Sequence, residues 1–294
     1  MLTDAAFALC LTHDVDRPYK TYQSLFYALE ERPRYHLGTL RPGSNPYWQF
    51  EEIRALEADL GVRSAFYVLN EPSLFATRPP REWLQVENLI EHAGRYDPTD
   101  DDLADALREL HEGGWEVGLH GSFHTADDPE RLEWETRVLE SVLDADVVGG
   151  RQHHLKLGPR TWEHYRANGL RYDASLGSRS SAGFLYGYEP VRPFDDEFVV
   201  FPLTAMETAL PDPGADFDAA WAACEALVDE AAANDAVMTV LWHPRYFNER
   251  EFPGYRRLYR RLVEYALERG GWVGPPAELY ERLYGDPARG SVDR

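Results

Sequence analysis

Asp14 and Asp16 stand two apart in THDVD, directly after the apolar run Phe7–Leu11. Side chains alternate along a strand, so the two carboxylates point the same way. His120 and His124 stand four apart in GLHGSFHT, where His120 ends the run Trp115–Leu119. Arg151 follows Val147 and Val148 in GGRQHH, Asp173 lies in RYDASLG, and His243 ends VMTVLW. Two histidines and a carboxylate can hold a divalent metal and leave positions open for water and substrate. A second carboxylate can take a proton from that water, and a separate histidine can give one to a leaving group. An Arg and a further Asp can orient the base and the acid. Together these are parts for metal-assisted hydrolysis. Taken singly, each has an ordinary reading: a solvated loop for the acidic pair, surface histidines, a core histidine at 243, a surface arginine at 151. The weight lies in their shared position, after an apolar strand.

Such residues need a scaffold that ends several strands at one face. Strand-like runs at Phe7–Leu11, Ser64–Leu69, Trp115–Leu119, Tyr172–Leu176, Phe198–Pro202 and Val237–Trp242 alternate with helical spacing. The helical stretches include Gln49–Leu60, Asp101–Gly113, Pro129–Leu143, Thr161–Asn168, Phe217–Ala233 and Tyr255–Arg269. Alternation of this kind predicts a parallel sheet with right-handed crossovers. Several short units in 294 residues predict a (β/α) barrel in one domain spanning 1–294. The segments Arg32–Tyr47 and Glu71–Asp100, each after a strand, are long and rich in Pro, Arg and aromatics. They are candidate lids or substrate walls, or plain surface insertions.

The net charge is −21, which excludes nucleic acid as a partner, because phosphate needs an excess of Lys and Arg. It argues equally against anionic membrane surfaces, and no run has the length of a membrane span. Lys20 and Lys156 are the only lysines. An acidic chain so poor in Lys predicts a salt-adapted protein; a GC-rich genome that favours Arg and Asp codons is the alternative. Cys10 and Cys224 lie in apolar stretches and are expected to be buried free thiols. Asp4 stands where a signal peptide would carry positive charge, so a cytoplasmic location is expected.

The motifs resemble the polysaccharide deacetylase family, the NodB-homology domain of carbohydrate esterase family 4. THDVD matches the family's first motif, HGSFH the second and LWH the fifth. Of the third motif, R-x-P-aromatic, only Arg151 is kept; His153 and His154 stand where the Pro and the aromatic would be. The resemblance runs from about residue 7 to 280. It implies a distorted (β/α)7-type barrel with one divalent metal ion, most often Zn²⁺. It implies Asp14 as base, Asp16, His120 and His124 as metal ligands, Arg151 holding the base, Asp173 tuning the acid and His243 as the acid. It also implies removal of an N-acetyl group from a sugar or glycan. His13 replaces the usual Phe and is a candidate extra polar group at the metal. His153, His154, Tyr186 and Trp242 are candidate substrate contacts, with core packing the competing reading for Trp242. Hydrolysis of a non-sugar cyclic amide and non-catalytic glycan binding remain open alternatives.

Overall fold

The computed structural model describes residues 5–285 apart from 22, 31, 42, 72–80 and 82–94. Much of the segment expected as a loop at 71–100 therefore lies outside the described residues. The elements run β1 (Ala8–Val15), α1 (Gln23–Glu30), α2 (Pro33–Gly38), α3 (Phe50–Leu60), β2 (Ala65–Leu69), α4 (Asp101–Glu112), β3 (Glu116–Gly121), α5 (Pro129–Leu143) and β4 (Gly149–Gln152). They continue as α6 (Thr161–Ala167), β5 (Tyr172–Asp173), β6 (Val199–Val200), β7 (Leu203–Met206), α7 (Phe217–Ala233), β8 (Val237–Leu241), α8 (Tyr255–Glu268), β9 (Trp272–Gly274) and α9 (Pro276–Tyr284).

The nine described strands join one parallel sheet, eight of them in the order β6-β5-β4-β3-β2-β1-β8-β7. β9 pairs with the first residues of β1, Ala8–Cys10, below the point where β2 takes over at Thr12. The sheet curls into a distorted (β/α)7-type barrel, open between β6 and β7. This is the expected fold class.

Alternation along β1 divides the core. Leu9, Leu11 and Val15 face the helices and join the large outer cluster. Ala8 and Cys10 face inward with Ala65, Tyr67, Tyr172 and Phe201. Cys10 and Cys224 are buried and free, as expected. Two helix starts are capped as their sequence suggests: Asp128 accepts from Arg131 N and Asp216 from Ala219 N, both at 3.0 Å.

β1 extends four residues beyond the apolar run. Thr12 to Val15 stay extended because they pair with Ala65 to Val68 of β2. Asp14 is therefore part of the strand, on the inward face. His13 points the opposite way, towards the helices. Its Nδ1 donates to the Trp242 carbonyl at 2.5 Å, and its Nε2 lies 3.1 Å from Glu57 Oε1 on α3. Glu57 also accepts from Ser64, Trp115 and Tyr259. His13 is thus a buried structural group and not a polar group at the mouth of the barrel.

Part of the segment 32–47 is the short helix α2, begun by Pro33. Buried Lys20 ties this region to the loop after β8, with Nζ 2.5 Å from Glu251 Oε1 and 2.9 Å from His36 Nδ1. Among the described residues, no helix is long and apolar enough to cross a membrane.

Candidate active site

The C-terminal ends of β1, β3, β4, β7 and β8 meet at one mouth, where parallel barrels place their chemistry. Asp14 is 3 % exposed. Its Oδ1 accepts from Arg151 Nη1 at 2.8 Å. Arg151, fully buried, also donates to Thr12 Oγ1 and, through Nε, to the Ala174 carbonyl. Its guanidinium lies over the Tyr67 ring. Burial works against the Arg151 charge, but Asp14, Tyr67 and Asp173 together overcome it and raise the pKa.

Asp16 sits just past β1 and faces three imidazoles. Its Oδ1 is 3.1 Å from His120 Nε2 and 3.7 Å from His153 Nε2; its Oδ2 is 3.4 Å from His243 Nε2. Burial works against the Asp16 charge, yet contacts from His120 and His243 hold its carboxyl well below the usual range. His120 Nδ1 donates to the Arg151 carbonyl at 3.0 Å, which turns Nε2 towards the mouth.

The metal-ligand atoms of Asp16, His120 and His153 all lie within 4.8 Å of one another. Asp16 Oδ1 is buried and has no aligned hydrogen bond. With the His120 proton on Nδ1, Asp16 Oδ1 and His120 Nε2 are two acceptors face to face. A second proton or a cation must lie between them, and two imidazoles and a carboxylate suit a divalent ion. Burial lowers the pKa of His153 to about 3, with Asp16 opposing, so this ring is neutral at pH 7, as a ligand must be.

The third member of this group is His153, placed among the substrate contacts from the sequence. His124 is not in the group; it stands on the turn after β3, its ring 5.5 Å from that of Phe123. His153 reaches the mouth because the chain turns sharply after β4. His154 and Leu155 adopt φ of 60° and 55°, a left-handed conformation uncommon outside glycine. His154 stacks on His153 with centroids 4.0 Å apart.

His243 is held on its far side by Glu207, whose Oε1 accepts from Nδ1 at 2.7 Å. Burial opposes a charge on His243, but Glu207 and Asp16 overcome it and raise the pKa to about 10. Sequence reasoning missed Glu207. It follows β7, a strand hidden behind Pro202, although LTAM ending in a carboxylate carries the same signature as the other strand ends.

Asp173, expected beside the acid, is committed elsewhere. Its oxygens accept from Trp162 Nε1 and from the amide and hydroxyl of Ser175. Burial raises its pKa against those bonds. Trp242 is 1 % exposed and packs on Tyr255 and Tyr259, so it is a core residue and offers no face to a sugar. Tyr186 is exposed on the segment between β5 and β6.

The fold has known counterparts. A Mycobacterium smegmatis protein classed as a polysaccharide deacetylase superposes with a TM-score of 0.61 at 16 % identity, covering 99 % of this chain and 93 % of its own. The chain has the polysaccharide-deacetylase fold. A Pseudomonas aeruginosa PAO1 protein classed in the same way superposes on this deacetylase fold with a TM-score of 0.61 at 14 % identity, over 97 % and 93 % of the two chains. The PuuE allantoinase shares it too, with a TM-score of 0.59 at 14 % identity, over 97 % and 92 %. No protein-family model and no curated protein matches the sequence.

Proposed function

We propose that this protein is a metal-dependent hydrolase that removes the N-acetyl group from an amino sugar or glycan. One observation carries the reading. A carboxylate held by Arg151 and an imidazole held by Glu207 flank a three-ligand cluster in one mouth. Asp16, His120 and His153 would hold the ion. A divalent ion bound there, Zn²⁺ for preference, polarises the amide carbonyl and lowers the pKa of a water, to about 7 in good zinc sites.

The chain supplies the proton transfers. Asp14 accepts the proton of the attacking water, and Arg151 keeps it oriented for that task. His243, its Nδ1 held by Glu207, gives a proton from Nε2 to the departing amine nitrogen. Glu207 fixes the ring and stabilises its charge. The products are acetate and a free amino sugar. The acidic composition fits an enzyme that works at high salt.

The test is acetate release from N-acetylated sugars and chitin oligomers by zinc-loaded protein in molar salt. Release that stops with a chelator and returns with zinc is expected. The fold shared with an allantoinase favours one second reading, ring opening of a cyclic amide by the same residues. Opening of a hydantoin without acetate release would move the assignment there. Sugar binding without any turnover, and without a metal requirement, would leave a binding protein.

A further inference from the structure

The mouth is a cavity of about 440 Å³. Beyond the residues assigned above, two guanidinium groups line it. Arg179 comes from the segment after β5 and Arg245 from the turn after β8. The chain has 51 acidic residues against 30 basic ones, and although Arg63, Arg192 and Arg257 contact carbonyls or rings instead, many described arginines pair with a carboxylate. Arg54, Arg108, Arg131, Arg171 and Arg260 all do so. Neither Arg179 nor Arg245 makes an ion pair with a described carboxylate.

Their actual contacts leave charge available. Arg179 Nη1 donates to His154 Nδ1 at 3.2 Å. The Arg245 guanidinium rests over the rings of Tyr246 and Phe252, and its Nε is buried without a hydrogen-bond partner. Arg245 is half-buried, and keeping its guanidinium without an anion costs free energy that a neutral sugar would return only in part; Arg179 is exposed and adds charge at the rim. The planar fork of Arg matches carboxylate and phosphate oxygens in pairs. Tyr246 bears most on the Arg245 charge, followed by Asp16 and Glu207, and these two carboxylates are occupied, one with the imidazoles of the cluster and the other with His243.

We propose that the substrate carries an oxyanion group, a carboxylate or a phosphate, which Arg179 and Arg245 grip in the mouth while the amide faces Asp14 and His243. This rests on the hydrolase reading above and narrows its substrate to an anionic amino sugar. A neutral glycan chain would leave both guanidinium groups without an anionic partner.

Binding and turnover can be tested apart. Glucuronate, glucose 1-phosphate and glucose are titrated into zinc-loaded wild type, Arg179→Gln, Arg245→Gln and Arg245→Lys. One charge-assisted grip is worth roughly 1.5–3 kcal/mol, so wild type should prefer one of the anions over glucose by about tenfold or more. Each Gln variant should lose most of that preference, and Arg245→Lys should keep part of it. Whether glucuronate or glucose 1-phosphate binds better distinguishes carboxylate from phosphate. An anion held by the metal alone would keep its affinity in every Arg variant, and that result overturns the proposal. So does the absence of any preference over glucose. In the turnover arm, kcat/KM for the N-acetylated anionic sugars should exceed that for N-acetylglucosamine, and the ratio should fall in Arg179→Gln, which is exposed and should fold. Anion preference without acetate release from any sugar would sink the deacetylase reading and leave the anion site standing.

Discussion

Asp14 touches a guanidinium at 2.8 Å and faces His120 Nε2 at 3.8 Å, which leaves its second oxygen turned to the mouth. Asp14→Asn keeps the shape, still binds the metal through its neighbours, and cannot accept a proton. Its kcat should fall by about 10²–10⁴, the range of a general base. Wild-type turnover in this variant would remove Asp14 from the mechanism. The acid is testable through its pH dependence. Glu207 accepts from its Nδ1 and raises the His243 pKa, so the protonated form is favoured and is lost as pH rises. Removing a negative charge lowers that pKa. Glu207→Gln should therefore move the alkaline limb of kcat to lower pH, and an unmoved limb would mean that Glu207 does not tune the acid. Asp173 bonds Ser175 and Trp162, so Asp173→Asn should leave that limb in place.

The strand ends explain what the sequence could and could not disclose. Asp14, Asp16, His120, Arg151 and His243 were legible because each sits at the end of an apolar run, and they do meet at one mouth. Glu207 was not, because β7 is four residues long and follows a proline that reads as a stop. The approach of His153 to Asp16 and His120 was not legible, because it depends on left-handed backbone at His154 and Leu155, which side-chain periodicity does not encode. His13 was misplaced because β1 runs on past its apolar stretch, so alternation turns His13 outward to Glu57. Close packing adds a further constraint at β4. A Cβ on Gly150 would run into the Leu119 carbonyl of β3, a backbone atom that cannot step aside. Gly150→Ala should cost about 1–3 kcal/mol or more and shift the adjacent Arg151. Denaturant unfolding measures the loss, and unchanged stability would contradict the tight β3–β4 approach.

The whole chain carries a charge of −21, and that repulsion opposes compaction. Surface pairs such as Arg54–Glu109 and Arg260–Asp59 weaken with salt, but each is worth only about 0–1 kcal/mol. Raising KCl from about 0.1 M to 1 M shortens the screening length from about 10 Å to 3 Å and mutes the net repulsion. Tm should rise by several degrees over that range; a fall would mean that local pairs outweigh net charge. Metal stoichiometry is also a property of the whole chain, and it tests the central claim most directly. Wild type, His153→Ala and His124→Ala would be loaded with zinc in molar salt, freed of excess and assayed for bound metal, with circular dichroism to verify folding. The account predicts a single ion per chain in wild type and in His124→Ala, and its loss in folded His153→Ala. No bound ion in wild type, or an ion that survives in His153→Ala and is lost from His124→Ala, would contradict the cluster of Asp16, His120 and His153.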